Sequence, residues 1–297
     1  MIFYLDTTDE PKTKTVDQYV ERIKKEKNGL PCAVIGIGGG SAIDVAKAAA
    51  VMLTNPGLTH EYQGWDLVAR PAVYKIGVPT LSGTGAEVSR TTVLTGPVKK
   101  QGINSDFTLF DQIILDPKLP ETAPSDQIFY TGMDCYIHCV ESITGTYINA
   151  FGRGFAGKAL DLCRDVFLGN GTAADLMVAS YMGGLSIVYS EVGIAHALSY
   201  GLSFCFGVHH GIGNCIVFNH LDEFYPDYVP EFREMMKHGN ITLPKNIADH
   251  VDSQTMEKMT DITLLMERPL ENALGPGWKS IMTRGKIQEL YTKILEL

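Results

Sequence analysis

A carboxylate and an imidazole stand four residues apart in an apolar stretch of the chain, at Asp134 and His138. On a helix, side chains at this spacing project from one face at neighbouring heights, where both can bind one cation. Two further apolar segments that contain glycine supply more imidazoles, at His196, His209 and His210. These residue types predict a divalent metal held by one carboxylate and three histidines, and such ligands suit Fe(II) and Zn(II) alike.

A glycine cluster follows an apolar strand pattern early in the chain. Gly38, Gly39 and Gly40 precede Ser41, and a helical pattern begins there. Glycines let a phosphate approach backbone N–H groups, and the start of a helix favours an anion. The order of strand, glycines and helix therefore predicts a phosphate-binding loop. A helix cap is the alternative, with Ser41 as N-cap and Asp44 as its capping-box partner.

A second cluster of hydroxyl groups and glycines, residues 79–87, follows the next strand pattern. Open α/β sheets bind ligands at the carboxyl ends of their parallel strands, where this cluster is predicted to lie. A surface turn rich in serine and glycine is the alternative interpretation.

The first 117 residues alternate between strand and helix patterns. Strands are predicted at residues 2–6, 32–37, 74–78, 90–95 and 106–115. With a helix at residues 15–27, this order is typical of a parallel sheet with crossover helices. Because the chain starts within a strand pattern, we expect a Rossmann-like α/β domain that lacks its first βα unit. Such a sheet would expose an apolar strand edge, which predicts self-association or a complementing segment.

From residue 118 onward the pattern is helical. Helices are predicted at residues 125–147, 149–167, 172–188, 191–204, 210–223, 229–238, 243–250, 254–267 and 284–296. We therefore expect an α/β domain of dinucleotide-binding type over residues 1–117, followed by an all-α domain over residues 118–297 that carries the metal site.

The composition limits the class of partner. The formal net charge is −9 and no block of lysine and arginine occurs, which disfavours nucleic acid and anionic membranes. No membrane span and no signal peptide are predicted. Six scattered cysteines suit reduced thiols, so we expect a cytoplasmic protein that acts on small molecules. Cys135 and Cys139 are weaker candidates as metal ligands, because unpaired cysteine is often part of a core.

Three sequence blocks carry a family signature. They are Gly-Gly-Gly-Ser at residues 38–41 with Asp44 and Lys47, Pro-Thr-x-Ser-Gly-Thr-x-x-Glu at residues 79–87, and Gly-x-Asp-x-x-x-His at residues 132–138. In addition, a histidine follows His196 by fourteen positions and precedes a glycine. Together these blocks resemble the iron-containing (group III) alcohol dehydrogenases. Longer strings look most similar to the 3-deoxy-D-manno-octulosonate (Kdo) 8-oxidase branch of that family, and they occupy residues 104–106, 111–114, 129–142 and 209–215.

The resemblance implies a site. The residues that match the family's metal ligands are Asp134, His138, His196 and His210. The residues that match its contacts to NAD or NADP are Gly38, Gly39, Gly40, Ser41, Asp44, Thr80, Ser82, Thr84 and Lys100. Iron is the expected metal and zinc the alternative. His209 is a candidate proton relay, with a residue outside the reaction as the alternative.

The resemblance also implies a reaction, which is oxidation of a primary alcohol of a sugar acid at C8 of Kdo. The aldehyde would serve an 8-amino sugar of lipopolysaccharide, which implies functional coupling to an aminotransferase, and we expect a homodimer.

Two departures from the family pattern leave alternatives open. Tyr200 stands where many members have a second histidine. We also expect the βα unit that faces the adenosine ribose in the family to be missing from this chain. The electron acceptor is therefore NAD, NADP or dioxygen. The other hypotheses are a dehydrogenase of another substrate and a non-catalytic or partner-dependent homologue.

Overall fold

The structure is a computed structural model that describes residues 1–6, 10–26, 29–245, 247–248 and 251–296. The chain divides into two compact units. The first comprises Met1–Leu81 and Gly85–Glu121, and the second comprises Ser82–Thr84 and Thr122–Leu297. The three residues Ser82–Thr84 thus pack with the second unit, although the chain on both sides of them belongs to the first. The domain boundary expected at residue 117 stays a prediction.

A parallel sheet lies in the first unit. Its strands, in spatial order, are β1 (Val34–Gly38), β3 (Lys75–Pro79) and β6 (Gln112–Ile113). Helix α2 (Gly40–Thr54) connects β1 to β3 and packs closely on β1, since a Cβ at Gly36 would lie 2.7 Å from the Cβ of Ala46. A strand, a crossover helix and a parallel strand confirm the predicted α/β fold class.

The other sheet of this unit is mixed. It contains β2 (Gly64–Trp65), β5 (Lys100–Asn104) and β4 (Thr91–Thr95), and β4 pairs antiparallel with β5. The strand predicted at residues 106–115 is confirmed only at Gln112–Ile113, which form β6, whereas Asp106–Thr108 form a 3₁₀ turn. The antiparallel partner of β4 is β5, which was not predicted. Thr95 pairs with Lys100, so the hairpin turn is short and the second strand begins where a longer turn had been predicted.

Residues 1–6 do not form the predicted strand. They run beside helix α1 (Thr13–Glu26), where the Tyr19 hydroxyl donates to the Tyr4 carbonyl at 3.1 Å and the Phe3 ring lies 4.6 Å from the Tyr19 ring. Within the described part of the chain, no strand pairs with them. A short apolar run becomes a strand only where a neighbouring strand completes its backbone hydrogen bonds, which explains the error.

One face of the parallel sheet carries exposed apolar side chains. Ile35 and Ile37 on β1 are 56% and 64% exposed, while Gly36 between them faces α2. Alternate residues of a strand point to opposite faces, so both isoleucines lie on the same side. Parallel sheets are usually covered on both faces, and this surface is therefore a candidate for association.

Helices form the second unit, as predicted. Their bounds are α3 (Ser125–Thr144), α4 (Ala150–Phe167), α5 (Ala173–Val188), α6 (Ile194–Phe206), α7 (His210–Phe218), α8 (Tyr228–His238), α9 (Ser253–Leu264), α10 (Glu267–Leu274), α11 (Trp278–Ile281) and α12 (Arg284–Ile294). Among the described residues, none of the helices has the length and apolar character needed to cross a membrane.

Some helix predictions need correction. Helix α7 ends at Phe218, five residues earlier than predicted. Of the helix predicted at residues 243–250, the described residues are not helical and the others lie outside the described part; Pro244 removes a backbone donor there. Helices α10 and α11 were not predicted, because prolines and glycines at residues 269 and 275–277 interrupt the helical pattern.

Helix α3 forms the centre of the helical unit. Its residues from 129 to 142 are all buried, which is typical of a helix packed on every side. Three of them carry a carboxyl or imidazole group: Asp134, His138 and Glu141. Burying such groups is costly unless they are paired or bind metal. The face of α3 that carries them is therefore a candidate functional site.

The segment Ser82–Thr84 lies against the backbone of α3. Gly83 has a φ of +150°, and a Cβ at that position would lie 1.6 Å from the carbonyl oxygen of Thr131. No side chain fits at that distance, so only glycine lets this segment reach the helix that carries Asp134 and His138.

We predict that Gly83→Ala lowers the free energy of unfolding by about 1–3 kcal/mol or more. The positive φ of this residue and the collision of a Cβ with the carbonyl oxygen of Thr131 both oppose the substitution. Urea unfolding followed by circular dichroism measures this change. Gly154→Ala is the matched control, since Gly154 lies in α4 with open space around it. That variant should gain about 0.5–1 kcal/mol. Equal stability of the two variants would contradict the close packing described for Gly83.

Candidate metal centre

Three helices bring the four predicted ligands together. Asp134 and His138 lie on α3, His196 lies in the first turn of α6, and His210 is the first residue of α7. One ligand atom from each of the four lies within 4.8 Å of the others. The residues predicted from their types and spacing thus form one cluster within the helical unit.

Oδ1 of Asp134 is the atom around which the imidazoles gather. Its distances to Nε2 of His138, His196 and His210 are 3.9, 3.4 and 3.6 Å. A tetrahedral metal with bonds of about 2.1 Å separates its ligand atoms by about 3.4 Å. The spacing of the cluster is therefore close to what a four-coordinate divalent cation requires.

Unsatisfied polar atoms mark the same place. Oδ2 of Asp134, Nδ1 of His138 and Oδ1 of Asn214 are buried and have no hydrogen-bond partner among the described residues. Buried polar atoms nearly always have a partner in the protein or in ordered water. Such a concentration of unsatisfied atoms fits a site that binds a cation and water, and the donor set itself suits Fe(II) or Zn(II).

Glu141 fixes the orientation of His196. Its buried carboxylate lies 2.5 Å from Nδ1 of His196 and accepts hydrogen bonds from the N–H groups of Gly193 and Ala195, at 2.8 and 2.6 Å, and from the Tyr225 hydroxyl at 3.3 Å. The carboxylate thus caps the start of α6 and holds the imidazole with Nδ1 as the donor. Nε2 of His196 faces Oδ1 of Asp134 at 3.4 Å and is the ring nitrogen left to bind a metal, which would replace any proton there.

Asn214 also lies within the cluster. It is fully buried on α7, one turn after His210. Its Nδ2 lies 2.6 Å from Oδ1 of Asp134, 3.0 Å from Nε2 of His196 and 3.3 Å from Nε2 of His210. A single amide therefore contacts three of the four candidate ligands.

Burial and charge act against each other on the ligands. Burial lowers the pKa of His138 to about 4. Burial also acts to lower the pKa of His196, but the carboxylates of Glu141 and Asp134 outweigh it and raise that pKa to about 9. For Asp134, burial acts to raise the pKa, and the three imidazoles nevertheless hold it well below its usual range. The cluster thus contains an ionised carboxylate that favours a positive partner.

Sequence reasoning did not assign roles to Glu141 and Asn214. The spacing of both residues in the sequence indicates a role at the site. Asn214 stands four residues after His210, the same spacing as between Asp134 and His138. Glu141 stands seven residues after Asp134, two turns along the same helix face. Polar residues at these intervals in apolar helices were available as candidates.

The cysteines beside the ligands face another helix. A Cβ at Gly183 on α5 would lie 2.7 Å from Sγ of Cys135 and 3.2 Å from Sγ of Cys139. Sγ of Cys163 lies 3.8 Å from Sγ of Cys135, and all three thiols are buried. These contacts favour the core interpretation of Cys135 and Cys139 over metal binding.

Two other residues flank His210. The ring of Tyr200 meets the imidazole of His210 edge to face, with centroids 5.8 Å apart. His209 is exposed at the N-cap of α7. Its position beside a ligand agrees with the proposed relay but also with the alternative, so the role stays a prediction.

The two segments predicted to bind the cofactor's phosphates meet in the first unit. The N–H of Thr80 donates to the carbonyl of Gly38 at 2.9 Å. Gly39, rather than Ser41, is the N-cap of α2, so no side chain caps that helix. The capping box of Ser41 and Asp44 is therefore wrong, and the glycine turn leaves the start of α2 open to an anion.

Asp44 and Lys100 are engaged with the protein itself. Asp44 accepts from the N–H of Val93 at 2.9 Å, and burial raises its pKa to about 6 although Lys47 acts against this. Nζ of Lys100 lies 2.7 Å from Glu10. These contacts engage Lys100 and one oxygen of Asp44, whereas Oδ1 of Asp44 has no hydrogen-bond partner among the described residues. The cofactor roles of both residues stay predictions.

Ser82 makes no such contact with the described residues through its side chain. It is buried in the segment Ser82–Thr84, and its Oγ has no hydrogen-bond partner in the part of the chain that the structure describes. A buried hydroxyl of this kind is available to a bound molecule. The predicted cofactor roles of Thr80, Ser82 and Thr84 stay predictions.

Two sequence profiles of one family match the chain. The profile described as iron-containing alcohol dehydrogenase matches residues 1–117, and that described as the C-terminal part of the Fe-containing alcohol dehydrogenase family matches residues 128–269. The chain belongs to the iron-containing alcohol dehydrogenase family. That family uses a divalent metal and NAD(H).

Named relatives are similar over part of their length. Long-chain-alcohol dehydrogenase 1 of Geobacillus thermodenitrificans is 33% identical over 224 residues, which are 72% of this chain and 56% of that protein. Sulfoacetaldehyde reductase of Bilophila wadsworthia is 34% identical over 188 residues, 60% of this chain and 49% of that protein. The chain therefore spans about half the length of these relatives.

Solved structures have the same fold. The iron-containing alcohol dehydrogenase of Thermotoga maritima gives a TM-score of 0.81 at 25% identity, with 97% of this chain and 81% of that chain covered. Sulfoacetaldehyde reductase of Bifidobacterium kashiwanohense, solved in complex with NAD⁺, gives 0.80 at 21% identity, covering 98% of this chain and 83% of that one.

We predict that Glu141→Gln lowers metal affinity by about 10–100-fold, because a glutamine oxygen cannot replace the charge that orients His196. Competition with a chelator measures the affinity. Glu231→Gln is the control, since Glu231 on α8 is a partly buried carboxylate paired with Arg164 rather than with a ligand. Both changes should reduce stability, but only the first should weaken the metal. Equal affinities in the two variants would refute the orienting role.

Proposed function

We propose that the chain is a metal-dependent oxidoreductase that interconverts a primary alcohol and an aldehyde. The observation that carries this proposal is the buried cluster of one carboxylate and three imidazoles on α3, α6 and α7. Membership of the iron-containing alcohol dehydrogenase family supports it.

The cluster has one open side. Asp134, His138 and His196 are almost completely buried, whereas the side chain of His210 is 24% exposed. The three buried residues exclude water from the back of the site, so we propose that substrate approaches along His210. Exposed His209 would pass the alcohol proton to solvent from the same side.

The proposed metal is Fe²⁺, with Zn²⁺ as the alternative, held by Asp134, His138, His196 and His210. When bound, the cation stabilises negative charge on the alcohol oxygen and the nicotinamide accepts hydride. The protein holds three imidazoles and a carboxylate in place for this chemistry through Glu141 and a dry helical core.

We propose NAD or NADP as the electron acceptor, bound by the turn of Gly38, Gly39 and Gly40 and by the hydroxyl groups of Thr80 and Ser82. The uncapped start of α2 and the unsatisfied hydroxyl of Ser82 support this. Dioxygen is the alternative electron acceptor that we propose, because several sequence strings resemble Kdo 8-oxidases.

The proposed substrate is the C8 alcohol of Kdo, on the strength of the strings at residues 104–106, 111–114, 129–142 and 209–215. Coupling to an aminotransferase is proposed for the same reason. A sulfonated aldehyde is the second candidate, because sulfoacetaldehyde reductase of Bilophila wadsworthia is 34% identical over the matched residues. Both substrates carry an anionic group.

We also propose a homodimer in the cytoplasm. The apolar face at Ile35 and Ile37 supports association, and free thiols support a reducing compartment. Sedimentation of the pure protein at micromolar concentration should give a dimer, because burying this face removes apolar surface from water. A stable monomer would contradict the oligomeric proposal.

The function is tested by an assay of iron-loaded protein without oxygen, with NAD or NADP and each of three substrates: Kdo, isethionate and a long-chain alcohol. We expect reduced nicotinamide with at least one of them. His210→Ala should lose metal and activity together, because it removes one of four ligands. Repeating the assay with dioxygen and without nicotinamide tests the oxidase. A metal-loaded, folded protein that is inactive under every condition would contradict an enzymatic role.

A further inference from the structure

Asn214 is unusual for its place in the fold. It lies in the interior of the nine-residue helix α7, whose other residues near it are apolar or glycine. Asparagine is a poor residue inside a helix, because its amide competes for backbone hydrogen bonds. Its side chain is fully buried as well. A residue with two such costs needs a compensating interaction.

That interaction is with the ligand cluster. The three polar contacts of the Asn214 amide, at 2.6, 3.0 and 3.3 Å, all go to Asp134, His196 and His210. Its other terminal atom, Oδ1, has no hydrogen-bond partner among the described residues. Among the described residues, the side chain of Asn214 therefore forms polar contacts with the ligand cluster alone.

The shortest of these contacts orients the carboxylate of Asp134. Nδ2–H of Asn214 donates to Oδ1 of Asp134, the same oxygen that lies 3.4–3.9 Å from the three imidazoles. A carboxylate rotates about its bond to Cβ unless a donor fixes it. This donor turns Oδ1 toward the imidazoles and leaves its second lone pair for a cation.

We propose that Asn214 is a positioning residue of the metal centre, which holds Asp134 in the orientation that binds the cation. Glu141 does the same for His196 from the other side of the cluster, so α3 and α7 each supply one ligand-orienting residue. The inference rests on the metal site of the proposed function and assigns a role to a residue that is not itself a ligand.

The test compares Asn214→Leu and Asn214→Ala with the wild-type protein. Leucine has the same branching and the same number of side-chain heavy atoms as asparagine and a better helix propensity, so the metal-free Asn214→Leu variant should be as stable as wild type or more stable. Zn²⁺ affinity, measured by competition with a chelator, should fall by about 10–100-fold in both variants. The visible absorption spectrum of the Co²⁺-loaded protein should also shift, because the geometry at Asp134 changes.

Asn219→Ala is the matched control. Asn219 lies at the end of the same helix and accepts a hydrogen bond from Arg233 at 3.0 Å, outside the cluster. This variant should keep the affinity for Zn²⁺ and the spectrum with Co²⁺. Unchanged affinity and spectrum in both Asn214 variants would overturn the inference and leave the proposed function intact. A wild-type protein that binds neither Zn²⁺ nor Co²⁺ would overturn both.

Discussion

The contact between the Glu141 carboxylate and the start of α6 is the constraint on which the rest of the site depends. Glu141 sits inside the helical core and is satisfied there by His196, two backbone N–H groups and the Tyr225 hydroxyl. A buried carboxylate without these donors would be strongly unfavourable. The contact therefore fixes where α6 begins and how the imidazole of His196 is oriented. Gly193 is part of the constraint, since a Cβ there would lie 2.8 Å from the hydroxyl of Tyr225.

The fold and the proposed chemistry support each other through burial. Helices α3, α6 and α7 pack around an apolar core, and several polar atoms that they bury at the ligand cluster have no hydrogen-bond partner among the described residues. An ionised Asp134 among imidazoles is stable only with positive charge nearby, which a divalent cation supplies. The same burial keeps Asp134, His138 and His196 from water and leaves His210, with a side chain that is 24% exposed, as the accessible ligand. We therefore propose that a cation, rather than a hydrophobic side chain, completes the core at this site.

The sequence predicted features that depend on residues close together in the chain. It did not predict features that depend on contacts with residues far away in the chain. The spacing of Asp134 and His138 predicted a shared helix face, and the fold class followed from alternating patterns, because both signals lie within a few residues. The strand at residues 2–6 was wrong since a strand requires a neighbour that the pattern does not contain. The roles of Glu141 and Asn214 depend on residues that stand 55 and 80 positions away in the chain. Choice of substrate depends on the shape of a site, which no single motif encodes.

The central claim is that one divalent cation binds between Asp134, His138, His196 and His210. The most direct measurement is a crystal structure of zinc-loaded protein, with anomalous scattering recorded on both sides of the zinc absorption edge. The account predicts one strong anomalous peak per chain, within about 2.3 Å of Oδ1 of Asp134 and of each Nε2. A peak bound by the thiols of Cys135 and Cys139, or a cluster without any peak in zinc-saturated crystals, would contradict it.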